Sequence, residues 1–332
     1  IGVRGTFEGI DMNALNAYKN TVIERMYKGL TGLVDSRGVE TIHGWGRLVD
    51  KNTVEVDGKH YRGKNVILAS GSFSKTIGLD ITGRVITSDQ ALNMNEVPGS
   101  AIILGGGVIG VEFASVWNSY GADVTIIEGL PNLVPNEDLV VSKTLERAFR
   151  KRGIKFQTKT MFDRVEQNAS GVTVYTQNGK TFQADYLLVA IGRGPATANL
   201  GYEEVGIAMD RGFVLTNERL ETNVPGVYAV GDIVPGLQLA HRGFLQGIFV
   251  AEELAGLDPK VIVENYIPRV TFCNPEIASV GLNQNKAEEI YGKENIEAVE
   301  FNLAGNGKSQ MLGTAGFVKL VRQKDGPIVG FH

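Results

Sequence analysis

The chain has 332 residues, of which 43% are hydrophobic and 21% charged, with a formal net charge of −4 and a single cysteine, Cys273. Such a chain buries a substantial core as two or three globular domains. It excludes a broad basic surface for nucleic acid or anionic membrane, an apolar run of about 18 residues that would span a bilayer, and any disulfide or Cys-rich zinc motif within these residues.

The opening "IGVRGTFEGID" reads as neither a signal nor a transit peptide, and a cytoplasmic protein fits all of this. Leu15, Tyr18, Val22, Met26, Leu30 and Leu33 recur at helical spacing, which predicts a helix over 12–33 with one buried stripe. The stretches "VETIHGWGRLVD", "NTVEVDG" and "NVILASGS" predict strands broken by Gly and Asp. From Ala101 the pattern becomes strand "AIIL", helix 108–120, strand "DVTIIE", helix 139–151 and strand "IKFQ". That is a βαβαβ unit with a parallel sheet. Asn178-Gly179 between alternating segments predicts a hairpin. "YLLVAIG" and "GVYAVGD" read as buried strands, 242–254 as a helix, and the chain from about Tyr266 as a separate antiparallel α+β unit. The last residues, "GPIVGFH", stop inside a strand pattern, which suggests a fragment.

The most informative stretch is "ILGGGVIGVEFASVWNSYGADVTIIE". Gly105-x-Gly107-x-x-Gly110 follows a strand and opens a helix. The first glycine permits the tight turn, the second lets a pyrophosphate approach the backbone, and the third lets helix and strand pack closely. The helix N-terminus offers free N–H groups to the phosphates. Glu128 closes the second strand, where a carboxylate accepts the hydroxyls of an adenosine ribose and repels a 2′-phosphate, so NAD is favoured over NADP. Glu112 and Val108 lie in the first helical turn; from local sequence they also fit a solvated acid favoured by the helix dipole and a core contact.

The segments "GGGVIGVE", "TNVPGVYAVGD", "QLAH" and "IPRVTFCNPEIASVGL", in this order, resemble the pyridine nucleotide–disulfide oxidoreductases, and among them the dihydrolipoamide dehydrogenases. The resemblance runs over essentially the whole chain. It implies an α/β fold of Rossmann-like FAD- and NAD(P)-binding domains, the FAD domain incomplete, plus the start of an α+β dimerisation domain. The implied limits are 1–97 for a partial FAD-binding domain, 98–216 for the NAD-binding domain, 217–264 for the return segment of the FAD domain and 265–332 for a partial dimerisation domain. Toward NAD, the resemblance implies roles for Gly105, Gly106, Gly107, Val108, Ile109, Gly110, Glu112, Glu128, Phe162 and Gly192. Glu112 would support a lysine beside the flavin, Val108 would gate nicotinamide entry, and Phe162 would serve the adenine pocket or equally the core. Toward FAD it implies Gly46, Ser70, Gly71, Ser72, Asp232, Gln238, Leu239, Ala240 and His241, with Asp232 on the ribityl chain.

The departures matter as much. The family's first glycine-rich motif, its redox-active cysteine pair and its C-terminal His-Glu pair are not among these residues, whose only histidines are His43, His60, His241 and His332. Cys273 lies in an apolar strand and reads as a buried structural cysteine. The implied reaction is oxidation of dihydrolipoamide, carried on an acyltransferase component of a 2-oxoacid dehydrogenase complex, with hydride passed through FAD to NAD⁺ by a homodimer. The chain as given is expected to be inactive in it. The alternatives are another flavin-disulfide-type enzyme, such as a soluble transhydrogenase or a mercuric reductase, or a non-catalytic nucleotide-binding fragment. No metal site is expected.

Overall fold

A computed structural model describes residues 5, 6 and 8–332. They form two compact units, one built mainly from Thr76–Gly192 with Val263–His332, the other from Ile10–Lys75 with Arg193–Ile262.

The first unit holds a five-stranded sheet in the order Val85–Ile86, Tyr186–Val189, Ser100–Leu104, Asp123–Ile127, Lys155–Gln157, with every pair parallel. Its three central strands, Tyr186–Val189, Ser100–Leu104 and Asp123–Ile127, are rich in Val, Ile and Leu because both faces are covered. Ile103, Val124, Ile126 and Leu188 pack with Val111, Ala114, Leu145 and Phe149 of the helices Val108–Ser119 and Leu139–Arg152. The alternate residues Ile102, Leu104, Ile127, Leu187 and Val189 pack with Val172 and Val174. Those two valines belong to an antiparallel sheet of Phe162–Asn168, Gly171–Thr176 and Thr181–Ala184. Its last two strands are joined at the expected Asn178-Gly179 turn, with Gly179 at φ +80°. Each large aliphatic side chain buried this way contributes about 1.5–3 kcal/mol. The C-terminal part is an antiparallel sheet in the order Arg269–Thr271, Ile277–Gly281, Ile328–Phe331, Phe317–Gln323, Ile296–Asn302.

The second unit contains a meander of Gly46–Asp50, Thr53–Val56 and Lys59–Arg62, a parallel pair of Val66–Leu68 with Val227–Ala229, and an antiparallel pair of Ser72–Ser74 with Arg193–Pro195. Leu48, Leu68, Tyr202, Val227, Ala229 and Ile233 fill its core. Helix Ala240–Leu254 packs Phe249 and Val250 against Val230.

Two short pairings shape the units, and one expectation, the buried stripe of the first helix, changes. Residues 85–86 join the parallel sheet because Leu187 and Leu188 pair with them, and Arg193–Pro195 pairs with Ser72–Ser74. By contacts the chain passes from one compact unit to the other at 75/76, 192/193 and 262/263, beside the limits 97/98, 216/217 and 264/265 that the resemblance implies for the domains. Helix Met12–Ser36 forms, capped by the Asp11 carboxylate on the Ala14 amide, yet it buries no residue. Tyr18, Met26 and Leu30 are 74%, 71% and 61% exposed. The stripe has helical spacing, but nothing among the described residues covers it.

Candidate dinucleotide and flavin sites

The glycine turn lies in the first unit. Gly105 sits at φ +109° and donates its N–H to the Ile127 carbonyl at 2.9 Å. A Cβ at Gly105 would strike the Ala190 carbonyl, and one at Gly110 the Gly105 carbonyl, so both positions require glycine. Gly107 differs: a Cβ there would meet nothing within 4 Å, which leaves an open cradle at the start of the helix. Gly107 is the N-cap and supplies no side-chain hydrogen bond.

The contrast with the other helices is informative. Those starting at Met12, Ser88, Leu139, Gln284 and Gly307 are each capped by the side chain of Asp11, Thr87, Asp138, Asn283 or Asn306. Among the described α-helices, only Val108–Ser119 and Ala240–Leu254 lack a side-chain cap. The start of Val108–Ser119 is open to an acceptor from outside, which fits a pyrophosphate there.

Glu128 is only 8% exposed. Its Oε2 accepts from the Gly106 amide at 2.6 Å and its Oε1 from the Leu130 amide at 2.7 Å. The acid therefore clamps the glycine turn, a role the motif does not reveal, and each oxygen keeps a further lone pair for a ribose hydroxyl. Val108 is 42% exposed beside the open cradle, whereas Ile109 packs on the core. Gly192, at φ +115°, also faces open space.

Phe162 packs on the core between the sheets. Its neighbour Met161 is 55% exposed with its sulfur over Gly129, and Leu130 is 51% exposed. These two apolar groups flank the Glu128 turn, and sequence reasoning missed them because neither belongs to a periodic face. Glu112 accepts from the Phe272 amide at 2.7 Å. Burial raises its carboxyl above the usual range, opposed by that amide. No lysine pairs with it among the described residues; it ties the helix to the C-terminal part of its own unit. Cys273 is 4% exposed with its Sγ on the Pro275 carbonyl, and burial first, then the Glu112 charge, push its thiol up to about 12.

The second unit gathers the residues expected to face flavin. Gly46 and Ser70 line a cavity of about 390 Å³ together with Trp45, Phe73 and Tyr202. Tyr202 donates to Ser70 Oγ at 3.2 Å. Gly71 sits at φ +77° in the turn before Ser72, and Ser72 donates to Asp232 Oδ2 at 2.5 Å. Gln238 donates to the Asp232 carbonyl at 3.3 Å, and Leu239 is the uncapped N-cap of the helix that Ala240 and His241 begin. Two further residues hold this turn: buried Arg242 donates to the carbonyls of Gly231 and Pro235, and buried Gln246 accepts from the Gly231 amide. The "GVYAVGD" pattern contains no signal for either. Helical spacing from Ala240 could have placed both on the inner face.

The cradle, the uncapped helix and the terminal acid define a dinucleotide-binding protein. The pattern described as "Pyridine nucleotide-disulphide oxidoreductase" matches residues 3–247, and its dimerisation domain matches 267–332. The chain belongs to that family. It is 36% identical over 343 residues to the dihydrolipoyl dehydrogenase of Geobacillus stearothermophilus, covering 99% of this chain and 72% of the relative. It is 34% identical to a mitochondrial dihydrolipoyl dehydrogenase of Arabidopsis thaliana, covering 100% and 68%. Among solved structures it resembles LpdA of Mycobacterium tuberculosis (TM-score 0.90, 27% identity, 98% of this chain, 74% of the other). It also resembles the flavoprotein disulfide reductase RclA of Escherichia coli (TM-score 0.87, 27% identity, 98% and 76%). No helix of the described residues is long and apolar enough to cross a membrane.

Proposed function

We propose that this protein is an NAD-dependent flavoprotein oxidoreductase of the dihydrolipoyl dehydrogenase type. The observation that carries the reading is the open Gly107 cradle at an uncapped helix start, clamped from behind by Glu128. When bound, FAD and NAD supply hydride transfer. The chain's own groups do the rest. The N–H groups from Val108 onward hold the pyrophosphate, Gly192 lets the nucleotide run close to the backbone, and Glu128 accepts the ribose hydroxyls. Asp232 accepts a hydroxyl of the ribityl chain, the Ala240 helix start donates toward the flavin, and the aromatic-lined cavity at Gly46 and Ser70 takes the adenine end. Glu112, Val108 and Phe162 retain the roles the resemblance implies only where the rest of the family machinery is present.

The sequence match to a dimerisation domain and the similarity to dihydrolipoyl dehydrogenases support a homodimer that uses NAD(H). Docking on an acyltransferase component of a 2-oxoacid dehydrogenase complex, and a cytoplasmic location, belong to the same proposal. With one cysteine, these 332 residues do not themselves supply the dithiol for thiol–disulfide exchange. The direct test is an equilibrium titration with NADH and NADPH followed by nucleotide fluorescence. NADH should bind at least about tenfold more tightly, a difference of about 1.4 kcal/mol. Comparable or tighter NADPH binding overturns the assignment.

A further inference from the structure

We propose that Arg193 is a positioning residue that aims the Asp232 carboxylate by way of the Ser72 hydroxyl. The inference rests on the flavin reading of Asp232. It starts from the pairing of Ser72–Ser74 with Arg193–Pro195, in which Pro195 stands opposite Ser72 and Arg193 opposite Ser74. Pro195 has no N–H to offer. The Arg193 guanidinium supplies donors instead: Nη2 to the Ser72 carbonyl at 2.8 Å, Nε to Ser72 Oγ at 2.7 Å, and Nη1 to Ser74 Oγ at 3.3 Å.

The direction of the chain of hydrogen bonds then follows from counting hydrogens. A guanidinium only donates, and a hydroxyl has one hydrogen and two lone pairs. Arg193 Nε–H occupies a lone pair of Ser72 Oγ, so the Ser72 hydrogen is directed to Asp232 Oδ2, 2.5 Å away. An ionised carboxylate only accepts, so this polarity has no alternative. Bonds of this charge-assisted kind are the short and strong ones. Oδ2 is thereby engaged, while Oδ1 accepts no hydrogen bond among the described residues. The backbone beneath is held independently by Arg242 and Gln246 on Gly231. The carboxylate is left with one fixed oxygen and one open oxygen, which suits a hydroxyl of a sugar-alcohol chain. Arg193 touches no ligand in this scheme; it acts through Ser72. The consequence is non-additivity, because members of one relay lose the same interaction once, whichever is removed.

The test is FAD titration, followed by flavin fluorescence, of the wild-type protein and of the variants Ser72→Ala, Ser72→Thr, Arg193→Gln, Asp232→Ala and the Ser72→Ala/Arg193→Gln double, with unfolding midpoints recorded without FAD. Ser72→Ala and Arg193→Gln should each weaken FAD about tenfold, the double no more than either single change, and Ser72→Thr less than about twofold because it keeps the hydroxyl. Adding Arg193→Gln to Asp232→Ala should change nothing further. An effect near a hundredfold for the double overturns the relay. So does unchanged affinity of Ser72→Ala while Asp232→Ala loses affinity, and this comparison decides the matter even if Arg193→Gln does not fold. If wild-type protein binds no FAD, or Asp232→Ala binds it as well as wild type, the flavin reading itself falls and the relay with it.

Discussion

Both oxygens of Glu128 hold backbone amides, so the side chain builds the glycine turn before any nucleotide arrives. Glu128→Gln keeps the size but turns an NH₂ group toward one of those amides. At about 1.5–3 kcal/mol for each hydrogen bond to a charged group, the change should destabilise the first unit by about 2–3 kcal/mol. It should also weaken NADH binding, since the turn and the ribose share the same acid. Urea unfolding and NADH titration of the same sample check the two effects. An affinity loss with unchanged stability would restrict Glu128 to ligand contact. Cys273 gives a second prediction at this scale. Its thiol lies at about 12 in the folded protein and at about 9 when exposed. The raised value makes the neutral form the folded one, so the contribution to stability is complete below about pH 9 and is lost as pH rises toward 12. The nucleophile is the thiolate, so a disulfide reagent at pH 8 should label Cys273 only after denaturant is added. Rapid labelling of native protein would contradict its burial.

At the scale of elements, helices of similar quality by spacing have different fates. Val108–Ser119 buries Val111, Ala114, Ser115 and Trp117, whereas Met12–Ser36 buries nothing. A helix held by propensity and one cap, without packing, is marginal in water. Amides of 15–35 should therefore exchange with solvent far faster than those of 111–119 in hydrogen-exchange mass spectrometry. Equal protection would mean that another surface covers the Tyr18–Met26–Leu30 stripe in solution. The two uncapped helix starts belong to this scale as well, because they become visible only when every cap is compared.

Within the first unit as a whole, buried charges fasten the nucleotide-binding sheet to the C-terminal sheet. Asp138 caps helix Leu139–Arg152, accepts from the Gln284 amide and pairs with Lys319 Nζ at 2.9 Å, both side chains being almost fully buried. Arg269 pairs with Glu137 at 3.2 Å, and Ser279 donates to the same carboxylate. Burial alone would raise the Asp138 carboxyl, but the Gln284 amide, Lys319 and the Val140 amide outweigh it and hold the value below normal. A depressed carboxyl stabilises the fold above its unfolded value, about pH 4, and that contribution is lost as pH falls through the folded value. Asp138→Asn leaves the Lys319 ammonium buried and unpaired, which should cost about 3–5 kcal/mol at pH 7. The variant should also lose part of the acid limb of the stability–pH curve. Thermal unfolding between pH 3 and 8 tests both, and a parallel acid limb in wild type and variant would remove Asp138 from the account.

The sequence by itself determined what is local. The βαβαβ order, the Asn178-Gly179 turn, the buried Cys273 and the glycine–acid motif all follow from period, turn chemistry and residue size within a few neighbours. The resemblance placed Ser72, Asp232 and the Ala240 helix in one group before any coordinates. Only the tertiary structure decided which apolar stripe is covered, since the spacing of Tyr18, Met26 and Leu30 states that a face exists and not what lies against it. It alone showed Glu128 spent on two amides, Glu112 on Phe272, and Arg193 joined to Asp232 through Ser72. Apart from the Leu130 amide, two residues from Glu128, those partners are separated along the chain by long stretches, and hydrogen bonds between distant residues leave no periodic trace in a sequence. They form because the sheets bring particular donors and acceptors to one place, where burial makes an unpaired polar group costly.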